Sequence, residues 1–265
     1  AGETIPTLTD SLNIQASFFR QPGCPTTVKT RLIADNHHIL RIDAEDIHPI
    51  SDTVRKMAEQ VCLKALDKVD IVLLSDYDKG LLTPKFCRSI ISACNKCGKK
   101  VIVDPKGNDY SKYSGAFLIK PNLKELALVS SENFDSSSPK LLNHVTATAR
   151  SLAKKLNTNS ILVTLSEHGM VNVPIVPGKP FHLPTKAHEV FDVSGAGDTA
   201  FASLGAAIGA GFSMHDAMRI ANTASGIAVG KLGTTTVRID ELDKELLICG
   251  TALHDIGKIS CMDTS

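Results

Sequence analysis

Between residues 51 and 169 the chain changes its hydrophobic period repeatedly, and this alternation limits the folds open to it. "SDTVRKMAEQVCLKAL" sets Val54, Met57, Ala58, Val61, Cys62, Ala65 and Leu66 at the spacing of one helix face, with Ser51 or Asp52 as its cap. "DIVLLSDY" then runs apolar without a break, as a strand buried on both faces does. Helix "TPKFCRSIISACNK" follows, with Pro84 in its first turn. After it come strands "KKVIVDPKG" and "AFLIKPN", the short helix "LKELALVS", helix "PKLLNHVTATARSLAKKLN" and strand "SILVTLSEHG". The pattern predicts an α/β fold: a mostly parallel sheet with helices on both faces.

Two segments break the alternation. Residues 26–43, "TTVKTRLIADNHHILRID", alternate polar and apolar and are expected to form exposed strands of a small sheet or lid. Residues 170–193, interrupted by Pro174, Pro177, Pro180 and Pro184, are expected to form an antiparallel edge. Helices are expected at 198–209, 213–229 and 238–248, and residues 249–265 read as a weakly ordered tail.

With 265 residues, 43% of them hydrophobic, the chain can build one large core without disulfides or structural metals. A net charge of +1 supplies no field for holding nucleic acid or an anionic membrane surface, and no apolar run reaches spanning length. Seven cysteines without a regular framework fit a reduced, cytoplasmic setting. Cys94 and Cys97 form a C-x-x-C pair, but no second pair accompanies them. They also close a helical pattern instead of opening one, where a thiolate would be stabilised. Lys96, Lys99 and Lys100 at the same place read as cations at a helix C-terminus.

Open parallel sheets bind ligands beyond the carboxyl ends of their strands. Those ends here are Ser75-Asp76-Tyr77-Asp78-Lys79-Gly80, Asp104-Pro105-Lys106-Gly107, Lys120-Pro121-Asn122-Leu123-Lys124-Glu125, Thr164-Leu165-Ser166-Glu167-His168-Gly169 and Ser194-Gly195-Ala196-Gly197-Asp198. Lysines suit phosphates, and asparagine with glutamate suits a hydrated magnesium ion. Each end alone reads as a solvated loop; five in register along one edge read as a site.

The last of them, in "VFDVSGAGDTAFASLGAAIGAG", has two readings. Gly195-x-Gly197-x-x-Ala200 matches the loose dinucleotide fingerprint. It lies in the last third of the chain, however, no strand follows to close a βαβ unit, and Asp198 in the first helical turn would repel a pyrophosphate. In the second reading the backbone N–H groups of Gly195, Ala196 and Gly197 stabilise charge that develops in a transition state. Asp198 then accepts a proton from an attacking hydroxyl, kept ionised by a helix terminus worth about 0.3–1 kcal/mol. Phosphoryl transfer needs this combination. Taken alone, Asp198 is also an ordinary helix-capping carboxylate.

These residues carry a resemblance. "DVSGAGDTAFASLGAAIGAG" closely resembles the C-terminal signature of the ribokinase-like (PfkB) sugar kinases, and "KPNLKE" their N-x-x-E element. "TVKTRLIADNHHILRID", "VLLSDYDKGLL", "VIVDPKGNDYSKYSGA", "VTLSEHGM" and "GIAVGKLGTTTV" resemble the subgroup that phosphorylates D-glycero-β-D-manno-heptose 7-phosphate. The resemblance covers roughly residues 20–248. It implies a three-layer α/β/α sandwich with a small β lid at 20–45, through which two copies can pair. It also implies ATP, Mg2+ and a monovalent cation such as K+ as cofactors, and a sugar phosphate as substrate.

Residue by residue, the resemblance makes Asp198 the base and Gly195, Ala196 and Gly197 the anion hole. Asn122 and Glu125 organise magnesium and the nucleotide phosphates. Thr164, Ser166 and Gly169 line the nucleotide side, and Asn222, Lys231 and Gly233 flank the adenine. Asp192 and Ser194 hold the monovalent cation. Lys79, Lys106, Arg41 and Asp104 face the sugar phosphate, although these three cations can equally pair with neighbouring carboxylates. The family's opening Gly-Asp strand end and Gly-Gly-Ala-Ala-Asn segment are not found. The chain is therefore expected to be an N-terminally incomplete kinase domain, lacking one wall of the sugar site. The His-x-Gly-His motif of a nucleotidyltransferase is also absent from it.

Overall fold

A computed structural model describes residues 2–34, 37–175, 178–185, 194–231, 233 and 235–248. The expected tail at 249–265 and the proposed cation residue Asp192 lie outside the described residues.

The alternation translates directly into layers. Strands β3 (Ile71–Ser75), β4 (Lys100–Asp104), β5 (Leu118–Ile119) and β6 (Ser160–Thr164) pair in parallel in sequence order. β7 (Met170–Pro174) and β8 (Phe181–Leu183) add antiparallel strands at the far edge, as the proline-rich segment leads one to expect. The continuous apolar runs are buried on both sides because successive side chains point to opposite faces. Val101, Val103, Ile119, Ile161 and Val163 pack into one core with helices α2 (Asp52–Ala65), α3 (Pro84–Lys96), α4 (Leu123–Ser130) and α5 (Leu141–Leu156). Ile102, Leu118 and Leu162, one residue out of phase, pack into a second core with α6 (Ala196–Gly209), α7 (Met214–Val229) and α8 (Ile239–Ile248). β3 is the other edge, and its Leu73 is 37% exposed.

The caps fall where the sequence places them. The Ser51 hydroxyl accepts from the Val54 N–H and Thr83 from the Phe86 N–H, with Pro84 opening α3. α6 begins two residues earlier than its periodicity indicated, at Ala196, because Gly195 turns the chain into it at φ +80°. Few residues other than glycine enter that region freely. Helix α1 (Thr4–Ser11) was not expected; it buries no side chain, which is why no apolar face announced it. Cys94 is buried and Cys97 caps α3, both as free thiols, and burial pushes the Cys94 thiol up to about 11.

β1 (Val28–Ala34) and β2 (His37–Ala44) form a separate two-stranded antiparallel ribbon. Its register gives it two unlike faces. Val28, Leu32, Leu40 and Ile42 are exposed on one, and Lys29, Arg31, Arg41 and Asp43 lie on the other. No helix among the described residues is long and apolar enough to cross a membrane.

Candidate active site

The carboxyl ends of β3 to β6 and the N-terminus of α6 converge on one edge of the sheet. The loop after β3 is fixed by Asp76, whose backbone N–H donates to the Asp104 carbonyl at 3.0 Å. One oxygen of its buried carboxylate accepts from the Asp78 N–H at 2.7 Å. The other accepts from Lys112 Nζ at 2.6 Å and the Tyr113 hydroxyl at 2.5 Å. The loop carries Tyr77 to α6, where the Tyr77 hydroxyl donates to Asp198 Oδ1 at 2.9 Å.

Asp198 is exposed in the first turn of α6, as expected. A Cβ placed on Gly197 would meet nothing within 4 Å, so the first-turn N–H groups face a space that a phosphoryl group can approach. Behind that turn, the Ser225 hydroxyl of α7 donates to the Ala196 carbonyl at 3.3 Å.

On one side of Asp198 lies a cavity of about 600 Å3, within the ordinary range for a small-molecule site. Its walls bring together Asn122, Thr164, Ser166, Gly169, Ala196, Gly197 and Asn222, all nucleotide-side or anion-hole candidates from the sequence. Asn222 is buried and donates from Nδ2 to the Pro184 carbonyl at 2.9 Å, tying α7 to the segment after β8. Gly169 is required by geometry: at φ +82° a Cβ would stand 2.0 Å from the Leu183 carbonyl oxygen. Lys231 and Gly233 are not among the described residues lining the cavity. Lys231 Nζ instead pairs with Glu241 Oε2 at 2.7 Å and donates to the Thr236 carbonyl at 3.0 Å, binding α7 to α8.

Asn122 and Glu125 form a full capping box at the start of α4. Asn122 Oδ1 accepts from the Glu125 N–H at 2.9 Å, and Glu125 Oε2 from the Asn122 N–H at 3.0 Å. Glu125 Oε1 takes Lys106 Nζ at 2.9 Å, a bond that raises the Lys106 pKa. Both glutamate oxygens are therefore already engaged. Among the described residues no three His, Cys, Asp or Glu side chains are placed to hold a metal ion. Magnesium carried on nucleotide phosphates and water fits this donor set, since the ion keeps much of its hydration shell; an all-protein cage does not. Ser194, the other residue assigned to the monovalent cation, directly precedes the Gly195 turn into α6.

The sugar-side candidates are all ion-paired. Lys79 Nζ lies 2.6 Å from Glu45 Oε1 and Arg41 Nε 2.9 Å from Asp43 Oδ1, the alternative their spacing left open. Asp104 Oδ1 meets Lys120 Nζ at 2.9 Å, with Lys120 only 3% exposed. Burial raises the Asp104 pKa, Lys120 opposes it, and Glu125 and Asp198 add to the rise. A recess of about 320 Å3 is lined by Arg31, Ile39, Leu40 and Arg41 of the ribbon and by Ser194, the residue before the glycine turn. Arg31 stands directly opposite Arg41 across the ribbon, an unfavourable pairing in isolation and a suitable one around an anion.

The lysine contacts hold the Asp43 and Glu45 carboxyls below their ordinary values, Lys29 acting first on Asp43 and Lys79 first on Glu45. A depressed native value means that stability is present above the unfolded value and lost as pH falls through the native one. Amide hydrogen exchange should therefore show the β1–β2 ribbon protected near pH 6 and progressively released below about pH 4. Protection that does not change on acidification would show that the pairs do not hold the ribbon.

Tyr77, Lys112, Lys120 and Arg31 have places at this edge that the sequence alone does not assign. The signal available for Tyr77 was an aromatic hydroxyl in a polar strand-end loop; for Lys120 it was a lysine directly after an apolar strand.

The comparisons agree with this architecture. The family model described as "pfkB family carbohydrate kinase" matches residues 1–241, and the chain belongs to that family. It is therefore a sugar kinase by family and an α/β protein of ribokinase-like fold. It is 41% identical over 222 residues to "Bifunctional protein HldE" of Paramagnetospirillum magneticum, covering 84% of this chain and 44% of that protein. To the protein of the same name from Sulfurimonas denitrificans it is 42% identical over 224 residues, covering 84% and 45%. The chain thus spans a little under half the length of the curated relatives it matches. Among solved structures, Escherichia coli phosphofructokinase-2 in complex with potassium superposes with a TM-score of 0.76 at 18% identity, covering 94% of this chain and 79% of that one. Ribokinase from Giardia lamblia gives 0.73 at 19%, covering 93% and 79%.

Proposed function

We propose that the chain transfers the γ-phosphoryl group of ATP to the anomeric hydroxyl of D-glycero-D-manno-heptose 7-phosphate, giving the 1,7-bisphosphate used for ADP-heptose and lipopolysaccharide core synthesis. One observation supports the reaction type: the segment that opens α6 reaches both recesses, with Ala196 and Gly197 in the wall of the cavity lined by Asn122, Thr164, Ser166 and Asn222, Ser194 in the wall of the recess lined by Arg31 and Arg41, and Asp198 in the same first turn.

ATP lies in the larger cavity with its terminal phosphate toward α6. The acceptor hydroxyl faces Asp198, which takes its proton as the new O–P bond forms and the bond to ADP breaks. The N–H groups of Gly195, Ala196 and Gly197 hold the phosphoryl oxygens. Magnesium, when bound, neutralises charge on the nucleotide phosphates; Asn122, the backbone around it and Glu125 lie where those phosphates and their water reach. The Arg31–Arg41 pair holds the remote phosphate of the sugar, which is what favours a sugar phosphate over a free sugar. A potassium ion near Ser194 belongs to the same reading.

Coupled assays of ADP release with heptose 7-phosphate, fructose 6-phosphate and ribose test the substrate. The reading requires the heptose phosphate to give the largest kcat/KM. Preference for another sugar would make the chain a related kinase. ATP binding with no turnover on any sugar would make it a nucleotide-binding domain. The exposed apolar face of the ribbon is read as a contact between two copies, and sedimentation velocity that finds only monomer at tens of micromolar would overturn that reading.

A further inference from the structure

We propose that Tyr77 is the positioning residue of Asp198: its hydroxyl occupies one carboxylate oxygen so that the other faces the acceptor hydroxyl. The inference rests on reading Asp198 as the base. An exposed carboxylate on a helix terminus rotates freely, and a base must lie within hydrogen-bond reach of the proton it takes. Here Oδ1 is held by a donor from a segment 121 residues away in the chain.

Tyr77 is itself 59% exposed, so burial of its ring does not fix it. Its loop does. Asp76 is buried and accepts from Lys112, Tyr113 and the Asp78 N–H, and Asp78 turns at φ +55°. The rigid loop therefore presents a phenol to a carboxylate that would otherwise be mobile. The groups facing the phenol are Asp198 from α6, Ser75 at the end of β3 and Asp104 at the end of β4. Burial and then Asp198 raise the Tyr77 pKa, and Ser75 opposes them, so the hydroxyl stays a donor at neutral pH.

Two measurements test the proposal, and the first needs no turnover. The chain has three tyrosines and no tryptophan, so absorbance near 295 nm reports tyrosine ionisation alone. Tyr110 and Tyr113 are fully buried and pushed far above the ordinary range, which leaves Tyr77 as the first to ionise. Asp198→Asn should lower the midpoint of that first step, and Tyr77→Phe should abolish it. A midpoint unmoved in Asp198→Asn overturns the proposal.

The second is kinetic. Tyr77→Phe keeps the ring and should lower kcat about 10–100-fold, with KM for sugar and ATP nearly unchanged. Adding it to Asp198→Asn should cost almost nothing more, because the two act as a unit. Wild-type kcat in Tyr77→Phe, or losses that multiply in the double variant, overturns the proposal. A full-rate Asp198→Asn enzyme instead overturns the reading of Asp198, whatever Tyr77 does.

Discussion

Asp198→Asn should lower kcat by about 10²–10⁴-fold, the range ascribed to a positioned general base, while ATP affinity stays within about threefold. The asymmetry follows from where the carboxylate sits. It sits in the first turn of α6 and is held by Tyr77 from the loop after β3, whereas the cavity proposed for ATP is walled by Ala196, Gly197 and Ala200 of the same helix and not by Asp198. Asparagine preserves the shape and an acceptor for the Tyr77 hydroxyl, and it leaves every backbone N–H of the turn in place. The helix loses only the charge–dipole contribution of about 0.3–1 kcal/mol, so the fold should survive. Coupled kinetics and calorimetric titration with a non-hydrolysable ATP analogue separate the two quantities. A variant at the wild-type rate would show that another group takes the proton. A variant that loses the nucleotide would show that the carboxylate serves chiefly to build the α6 turn.

What the sequence made legible follows from how local each cause is. The out-of-phase burial of Val101, Ile102 and Val103 is written in three adjacent letters, and so both faces of the sheet were readable. So was the helix opened by Gly195, because a left-handed turn before a helix needs glycine. Asn122 and Glu125 show the limit. Their spacing of three is that of a capping box as well as of a phosphate and magnesium element, and the structure realises the first. Lys79, Lys106 and Arg41 pair with Glu45, Glu125 and Asp43. Of these three partners only the last is close in sequence, so for the other two spacing could not choose between a surface ion pair and a ligand contact. Lys231 was assigned to the adenine through the resemblance alone and turns instead to Glu241 on α8. The Tyr77–Asp198 bond and the Lys112–Asp76 pair join residues 121 and 36 positions apart, and no periodicity encodes such contacts.

The second large effect lies one layer beneath the site. Lys112→Met should destabilise the chain by about 3–5 kcal/mol, the usual cost of removing one partner from a buried ion pair. Asp76 keeps 3% of its side-chain surface in contact with solvent and Lys112 14%. Without the ammonium, the carboxylate retains the Tyr113 hydroxyl and the Asp78 N–H as donors, but its charge stays buried. At about 2–4 °C per kcal/mol for a chain of this size, the melting temperature should fall by roughly 6–20 °C. Pairing Lys112→Met with Asp76→Asn removes the stranded charge, so the double variant should lose much less stability than the sum of the two single losses. Urea unfolding of the four proteins measures that coupling. Additive losses would mean that the pair is not formed in solution, and the loop that carries Tyr77 would then need another anchor. A large coupling would tie the stability of the β3 edge to the orientation of Asp198, because the same Asp76 carboxylate that neutralises Lys112 fixes the turn from which Tyr77 reaches across to α6.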